Sequence, residues 1–284
     1  MREVITSRRN PAVIKLCGLS EKKNREAERL FRFDGLKLYL EGVAAGVEVS
    51  MVFLRESSAD SLLARITSAG AALPGENGER VIILADSLFD SVSEEKSPEG
   101  IITAAKYIDK FHKTVTIYNN LSDQADILPP DGQRIILLED IRDPGNLGTI
   151  LRTAGALGVG RIYLTGDCAD IYNPKTLRAS MGAVFKVMTV SCRNRAALIG
   201  ALRSCGRRVF AAALDAKAAR LGDITLAPSD CVAIGNEGHG LSREVIEACD
   251  GSIMIPMAEG HESLNASIAA ALFMWEGAKA ERLG

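Results

Sequence analysis

The stretch IILLEDIRDPGNLGTILRTAGALG, from Ile135 to Gly158, is the most informative part of the chain for its architecture. It reads as an apolar strand, a polar turn and an apolar helix. Two more segments have this order, VAIGNEGHGLS (Val232 to Ser242) and IMIPMAEGHESLNASIAAALFMWE (Ile253 to Glu276). Domains of the α/β class use such strand–turn–helix units to present backbone amides and helix N-termini to a ligand. We therefore expect these turns to form a ligand site.

Strands and helices alternate through the second half of the chain, residues 134–284. The predicted strands are rich in Val, Ile and Leu and polar only at their ends, as strands covered on both faces should be. They are residues 135–138, 161–164, 209–213, 232–234 and 253–255. The predicted helices are residues 147–157, 194–205, 242–248 and a last one from about residue 263 to 276. This alternation predicts a mostly parallel sheet.

The first half predicts a smaller α/β domain over residues 1–110, followed by a linker over residues 111–133. Asn10 before Pro11 is typical of a helix start, with Asn as N-cap and Pro at the first helical position. Further helices are predicted over residues 36–43 and 59–68. The predicted strands are residues 49–54, 81–84 and 101–106.

The composition is that of an ordinary two-domain soluble protein. The chain has 284 residues, of which 47% are hydrophobic and 25% charged. No apolar run is long enough to span a bilayer, and the N-terminus does not resemble a signal peptide, so we expect a cytoplasmic protein without membrane contact. Six cysteines without a CxxC pair, and only three histidines, favour reduced thiols and no metal site.

The net charge of −2 hides an uneven distribution. Residues 1–37 contain ten Lys or Arg against five Asp or Glu, so the rest of the chain is acidic. Such a basic lobe would suit docking to phosphates. Alternatively, the charges belong to a solvated helix with ion pairs such as Glu21–Arg25 and Glu28–Arg32. Charge alone does not decide between these interpretations.

The three segments, in this order and spacing, closely resemble the motifs of SpoU/TrmH-type RNA ribose 2'-O-methyltransferases of the SPOUT class. The resemblance implies a C-terminal trefoil-knot methyltransferase domain, S-adenosylmethionine as methyl donor and a homodimer. Residues 29–42 and 99–105 resemble more loosely the family's N-terminal RNA-binding domain. Because tRNA-modifying members typically lack that domain, the resemblance favours ribosomal RNA over tRNA as the substrate.

The resemblance also implies a catalytic set: Asn146, Arg152, Glu237, Ser263 and Asn265. From the residues alone, Asn146 would simply cap a helix, and Glu237 would either cap the next helix, attract a cationic cofactor or take part in RNA binding. Apolar neighbours at positions 150, 151, 154 and 156 predict that Arg152 lies on a largely buried helix and needs a partner. Because a guanidinium stays protonated, a role in holding phosphate or stabilising an alkoxide is easier to defend than that of a base, although the family proposal of a phosphate-assisted base stays open.

The cofactor pocket implied by the resemblance is built from the second and third segments. Its predicted residues are Leu214, Gly235, Asn236, Gly238, Ile255, Pro256, Met257 and Leu264. Glycines at positions 235, 238 and 240 would allow close approach of a ligand, or would merely form a tight turn. Ser263 is the predicted N-cap of the final helix.

Predicted RNA contacts are Arg178, Lys22, Lys23 and Arg25. For the pair Lys175 and Arg178, an ordinary surface position is an equally good interpretation. The final helix carries an apolar series at helical spacing (Leu264, Ile268, Ala271, Leu272, Trp275), which suits the core, a dimer interface or both. In such a dimer Arg152 can reach the partner's cofactor site.

Two other functions were weighed. A nucleotide-dependent oxidoreductase would require GxGxxG after the first strand, where this chain has DPGNLG. A non-catalytic RNA-binding protein of the same fold is disfavoured because the whole catalytic set is present.

Overall fold

A computed structural model describes residues 3–75, 78, 80–115, 128–129, 132–215, 217–261 and 263–282. The chain divides into two compact units. The first contains residues 1–108 and 170–185, and the second contains residues 109–169 and 186–284. The predicted C-terminal domain included residues 170–185, so the division differs there. Most of the predicted linker lies outside the described residues.

The first unit is built on a mixed sheet. Its strands are β1 (Val4–Ile5), β2 (Leu30–Asp34), β3 (Val49–Arg55), β4 (Val81–Leu84) and β5 (Ile101–Lys106), in the order β1-β4-β3-β5-β2. Strand β4 is parallel to β1 and β3, whereas β5 is antiparallel to β3 and β2. The predicted strands β3, β4 and β5 are confirmed. Strands β1 and β2 were not predicted.

Helices cover this sheet. They are α1 (Pro11–Gly18), α2 (Lys22–Glu28), α3 (Leu36–Ala44), α4 (Ala59–Ser68), α5 (Asp86–Val92) and α7 (Pro174–Ser180), with 3₁₀ turns at Glu56–Ser58 and Ala183–Phe185. The predicted start of α1 is confirmed, because the Asn10 side chain accepts a hydrogen bond from Ala12 N. Tyr172 stacks on Tyr107 with ring centroids 4.1 Å apart, and α7 packs against β2. These contacts explain why residues 170–185 group with the first unit.

The ion pairs predicted for the basic lobe do not form. Glu21 is the N-cap of α2, but the Arg25 side chain turns to Asp170 instead. Glu28 pairs with Lys15, and Arg32 lies in β2 beyond the end of the helix. Arg32 is buried and pairs with Asp34 at 3.2 Å. Arg25 is buried too, and its guanidinium contacts Asp170 at 2.6 Å.

The second unit is built on an eight-stranded sheet in which every described pairing is parallel. Its strands are β6 (His112–Val115), β7 (Ile135–Glu139), β8 (Arg161–Thr165), β9 (Met188–Cys192), β10 (Val209–Ala212), β11 (Ala219–Arg220), β12 (Cys231–Ile234) and β13 (Gly251–Met254). The order is β11-β13-β10-β12-β7-β8-β9-β6. The predicted parallel sheet is confirmed. Strands β6, β9 and β11 were not predicted.

Helices α6 (Pro144–Ala156), α8 (Arg195–Ser204), α9 (Arg243–Ala248) and α10 (Ala266–Arg282) belong to this unit. A core cluster that includes residues of α8 and α9 contains Leu137, Tyr163, Val190, Leu198 and Val209. Strands β7 and β12 are neighbours, with Ile234 opposite Leu138. The turns that follow these two strands therefore leave the sheet side by side, which is where ligands bind in open parallel sheets.

Of the two interpretations of the apolar series on α10, the structure excludes the core. Ala266, Ala270, Phe273 and Ala278 are buried, and the helix packs against α6 and β12. Ile268, Leu272 and Trp275 lie on the other side and are 51%, 38% and 50% exposed. The series is therefore not the core face of this helix.

Candidate active site

Asn146 lies in the first turn of α6, directly after the turn that follows β7. The helix is capped by Asp143, whose Oδ1 accepts a hydrogen bond from Asn146 N at 2.8 Å. The simple interpretation of Asn146 as a helix cap is therefore wrong. Because Asp143 satisfies the helix end, the Asn146 side chain is available for other contacts.

A chain of side-chain hydrogen bonds joins the three predicted catalytic segments. Asn146 Nδ2 donates to Glu237 Oε1, and Asn265 Nδ2 donates to Asn146 Oδ1 at 3.1 Å. These residues follow β7, β12 and β13, respectively. The fold thus brings Asn146, Glu237 and Asn265 together from positions far apart in sequence.

Asn265, not Ser263, caps the final helix. Its Oδ1 accepts hydrogen bonds from Ser267 N at 2.9 Å and Ser267 Oγ at 2.6 Å. Helix α10 begins at Ala266, so Ser263 lies too far upstream to be its N-cap. Ser263 is exposed on the wall of a cavity instead.

The cavity has a volume of about 550 Å³ and lies beside Glu237. Its wall includes Leu214, Gly235, Asn236, Gly238, Ile255, Met257 and Leu264, all of which we predicted to bind the cofactor, together with Glu237, His239 and Ser263. Pro256 is exposed and does not line the cavity, so the structure does not support a direct contact for it. Phe273 of α10 and Ile253 of β13 contribute further apolar surface.

The turn after β12 has little freedom. A Cβ at Gly235 would lie 2.3 Å from the carbonyl carbon of Gly240, so only glycine fits. Asn236 closes the turn through backbone hydrogen bonds with Gly240, at 3.2 and 2.9 Å. Its side chain accepts from Gly238 N at 2.8 Å. Gly235 is therefore required for close packing and Asn236 for the shape of the turn.

Arg152 lies in solvent. The buried stripe of α6 consists of Leu147, Ile150, Leu151 and Ala154, and Arg152 lies off this stripe. Among the described residues it makes no hydrogen bond or ion pair. The helix is largely buried as predicted, but the partner expected for this charge is not found among the described residues. An exposed guanidinium is available to a ligand from outside.

The predicted RNA contacts have different surroundings. Lys22 and Lys23 are exposed, although Lys22 Nζ lies 3.8 Å from Glu26. Arg178 is exposed, and its Nε lies 3.4 Å from Glu95 Oε1. Burial raises the pKa of Glu95, and the nearby Arg178 charge opposes that shift.

Arg25 requires a correction. Its guanidinium donates to the carbonyl oxygens of Leu19 and Ser20 at 2.9 and 2.7 Å, besides contacting Asp170. It is only 2% exposed. Both Nη groups are bound inside the protein and the side chain is buried, so the predicted contact with RNA is wrong.

Sequence reasoning missed two residues at the end of β7. Glu139 is fully buried and binds Arg195 and Ser242. Asp140 has a left-handed backbone (φ 55°), and its carbonyl oxygen accepts from Asn236 Nδ2 at 3.0 Å. A charged residue at the end of an otherwise apolar strand was the available signal.

The thiol of Cys168 lies beside the end of β7, where its Sγ contacts the Leu138 carbonyl oxygen at 3.7 Å. Burial raises the pKa of Cys168 to about 11, so this side chain is a neutral thiol at physiological pH. All six cysteines are free thiols.

Within the described residues, no group of three His, Cys, Asp or Glu side chains is placed to hold a metal ion. No described helix is long and apolar enough to cross a membrane.

Comparisons with known proteins match both halves of the chain. The SpoU rRNA Methylase family profile matches residues 133–275, and the MRM3-like substrate binding domain profile matches residues 10–103. The 23S rRNA (guanosine(2553)-2'-O)-methyltransferase RlmP of Bacillus subtilis (strain 168) is 27% identical over 271 residues, which cover 95% of this chain and 97% of that protein.

Solved structures give the same result. The AdoMet-bound rRNA methyltransferase from Sinorhizobium meliloti has a TM-score of 0.78 and 27% identity, with 98% of each chain covered. A structure described as an RNA 2'-O ribose methyltransferase has a TM-score of 0.79 and 26% identity, and both chains are covered completely.

Proposed function

This chain belongs to the SpoU rRNA methylase family, and we propose that it transfers a methyl group from S-adenosylmethionine to a ribose 2'-hydroxyl of ribosomal RNA. The observation that carries the proposal is the hydrogen-bonded chain Asn265–Asn146–Glu237 beside a cavity of ligand size. An oxidoreductase does not explain that arrangement.

The cavity fits the methyl donor. Its volume of about 550 Å³ lies within the range of roughly 300–1,000 Å³ typical of small-molecule sites. The backbone around Gly235, Ile255, Met257 and Leu264 would hold the adenine and methionine parts, with Leu214 closing the apolar side. The Glu237 carboxylate on the wall suits a cationic ligand. When bound, S-adenosylmethionine supplies an electrophilic methyl group on a sulfonium.

Arg152 acts on the RNA side of the reaction. A ribose hydroxyl is a poor nucleophile, so it must be aligned and its developing negative charge stabilised. A guanidinium remains protonated, and two of its N–H groups can bind a phosphate together. Arg152 is exposed and contacts no partner within the described ranges, which supports a role in holding the phosphate next to the target ribose and stabilising the alkoxide.

Asn146, Glu237 and Asn265 act as a group that orients the reacting ribose. The Asn146 amide receives one hydrogen bond and donates the next, so its orientation is fixed from both sides. Asn265 is itself fixed by the start of α10. Ser263, exposed on the cavity wall, completes the polar rim.

The first unit supplies substrate binding. Its match to a substrate-binding domain covers residues 10–103, which include most of the basic lobe. Lys22, Lys23 and Arg178 are exposed cations suited to the RNA backbone. Arg25 instead secures the start of α2 through the contacts described above.

The proposal also includes the oligomeric state of the protein, its cellular location and the knotted topology of its second unit. The exposed apolar side of α10 supports a homodimer, because Ile268, Leu272 and Trp275 would be covered by a partner. We place the enzyme in the cytoplasm, where ribosomal RNA is modified in bacteria. The second unit is proposed to contain the trefoil knot of its family.

Labelled methyl transfer from S-adenosylmethionine to total RNA tests the function. We expect label in ribosomal RNA, at a nucleotide whose 3' linkage resists alkaline hydrolysis because its 2'-oxygen is blocked. Label in tRNA alone would show that tRNA is the substrate instead of ribosomal RNA. Label on a base would refute ribose methylation. Binding of RNA without any transfer would favour a non-catalytic protein of the same fold.

A further inference from the structure

The segment 236–242, which carries Glu237, is attached at both ends to consecutive residues of the β7 end. At its start, Asn236 Nδ2 donates to the Asp140 carbonyl oxygen at 3.0 Å. At its end, Ser242 N and Oγ donate to the Glu139 carboxylate at 2.7 and 2.8 Å. We propose that these attachments form a clamp that positions Glu237 against Asn146, and that Glu139 is a positioning residue. The inference deepens the proposed function and rests on it.

The Glu139 carboxylate is placed for this task. Its side chain is fully buried and accepts a third hydrogen bond, from Arg195 Nη1 at 2.5 Å. A buried carboxylate is tolerated when opposite charge and donors satisfy it. Arg195 is the first residue of α8, and Ser242 is the N-cap of α9. One carboxylate therefore joins the β7 end to two helix starts.

Asp140 provides the second attachment through its main chain. A left-handed conformation is costly for a non-glycine residue and persists only when the surroundings fix it. Here Asp140 N donates to Thr165 O at 3.2 Å, and Asp140 Oδ1 accepts from Asp167 N at 2.6 Å. Gly166 leaves the space that this carboxylate needs, because a Cβ there would lie 2.4 Å from Oδ1.

Besides these attachments, the buried Leu241 and the backbone pair of Asn236 with Gly240 hold the segment. Gly238, His239 and Gly240 at its tip are exposed, so few packing contacts hold them. Glu237 lies between the tip and the attachment at Asn236, and it lines the cofactor cavity. Releasing either end would let the carboxylate leave Asn146 and would deform the cavity wall.

The test uses Glu139→Gln, which keeps the shape but replaces one acceptor oxygen by a donor facing Arg195 or Ser242. Its matched control is Asp230→Asn. Asp230 is another buried carboxylate of this unit, bound by Arg208 at 2.5 and 3.0 Å just before β12, at the opposite end of that strand. Both changes should lower thermal stability, since each leaves an arginine without its partner.

Only Glu139→Gln should affect the site. We expect faster backbone amide exchange across residues 236–242 in the ligand-free protein, and affinity for S-adenosylmethionine weakened on the order of tenfold. Asn236→Asp, which removes the donor to Asp140 but keeps the acceptor for Gly238 N, should also speed exchange there. It keeps the proposal testable if Glu139→Gln does not fold.

Wild-type rates of amide exchange across residues 236–242 in both Glu139→Gln and Asn236→Asp would overturn the inference. It would also be overturned if Asp230→Asn accelerated exchange there, and weakened cofactor binding, as much as Glu139→Gln. A wild-type protein that binds no S-adenosylmethionine would overturn the proposed function instead. The exchange measurement would still judge the clamp in that case.

Discussion

Asn146 illustrates how one capping residue releases another for chemistry. Asp143 satisfies the start of α6, so the Asn146 amide can accept from Asn265 and donate to Glu237. An amide has both a donor and an acceptor, which neither a carboxylate nor an ammonium group offers at neutral pH. It is therefore suited to connect a second amide with a carboxylate. The Asn265 amide also has two roles. Its oxygen caps α10, and its nitrogen donates to Asn146.

The first prediction concerns Arg152. Replacing it with alanine should reduce methyl transfer at least a hundredfold, because the phosphate and alkoxide would lose their cation. Affinity for S-adenosylmethionine and the melting temperature should stay close to wild type, since exposed side chains without partners contribute within about 0.5 kcal/mol to folding. Single-turnover kinetics, calorimetry of cofactor binding and thermal melting would measure these effects.

Arg243→Ala is the matched control for that change. Arg243 is also an exposed arginine on a helix of the second unit, with a side chain that is 91% exposed. It should keep full turnover. Near-normal turnover of Arg152→Ala would remove this arginine from the mechanism.

At the scale of elements, the turn after β12 is the part of the site that tolerates least change. Gly235→Ala should weaken binding of S-adenosylmethionine at least tenfold, because the new methyl group would displace the backbone at Gly240 and Leu241. The melting temperature should also fall, as expected when a tightly packed backbone must shift. Titration calorimetry and thermal melting are the measurements.

Gly200→Ala is the matched control for Gly235→Ala, because it makes the same change outside the turn. Gly200 lies on an exposed position of α8, with nothing within 4 Å of an added Cβ. Alanine there should raise stability by roughly 0.5–1 kcal/mol, because it restricts the unfolded chain and favours helix. Unchanged cofactor affinity in Gly235→Ala would mean that this turn does not form the cofactor site.

The elements that could be predicted from the sequence are those with long apolar runs or strong end signals. Strands β7, β8, β10 and β12 and helix α4 were predicted within about two residues because their apolar patterns are unbroken. Strand β9 (MTVSC) was missed because threonine and serine interrupt its apolar pattern, although it lies inside the sheet between β8 and β6. Strand β6 (HKTV) lies at the sheet edge and has no apolar run.

The candidate site, too, could be predicted from the sequence only in part. The turns bearing Asn146, Glu237 and Asn265 could be located because each follows a strand, but their mutual hydrogen bonds depend on β12 lying beside β7. The residue that caps a helix also depends on where the helix begins, so Ser263 was preferred over Asn265. Arg25 and Glu139 carry charges that sequence patterns assign to the surface, whereas tertiary partners hold both inside.

For the whole molecule, the uneven charge predicts how RNA binding depends on salt. Changing Lys22 and Lys23 together to glutamine should weaken RNA binding and reduce the slope of log affinity against log salt by about one unit for each lost phosphate contact. The same change at Arg65 and Arg80, exposed basic residues of the same unit, is the charge-matched control. An unchanged slope for the lysine pair would assign these lysines to solubility.

The last prediction concerns assembly and the exposed apolar side of α10. Ile268→Lys should shift the protein towards monomer in sedimentation and reduce methyl transfer in parallel, because it places a charge in the proposed interface. Ile14→Lys introduces the same change at another isoleucine, 58% exposed on α1, and should affect neither. A monomeric wild-type protein that still methylates RNA would rule out the dimer as a requirement.

Whether the partner also completes the active site can be decided by mixing variants. Arg152 is exposed, whereas Glu237 is fixed in the cavity wall of its own subunit. If Arg152 serves the partner's cofactor site, a dimer of Arg152→Ala and Glu237→Ala subunits contains one site with both residues intact. Co-refolding the two inactive variants should then restore up to a quarter of wild-type activity, because half of the dimers are mixed and each has one good site. Activity that stays at the level of the separate variants would place Arg152 in its own subunit's site and leave the interface with a purely structural role.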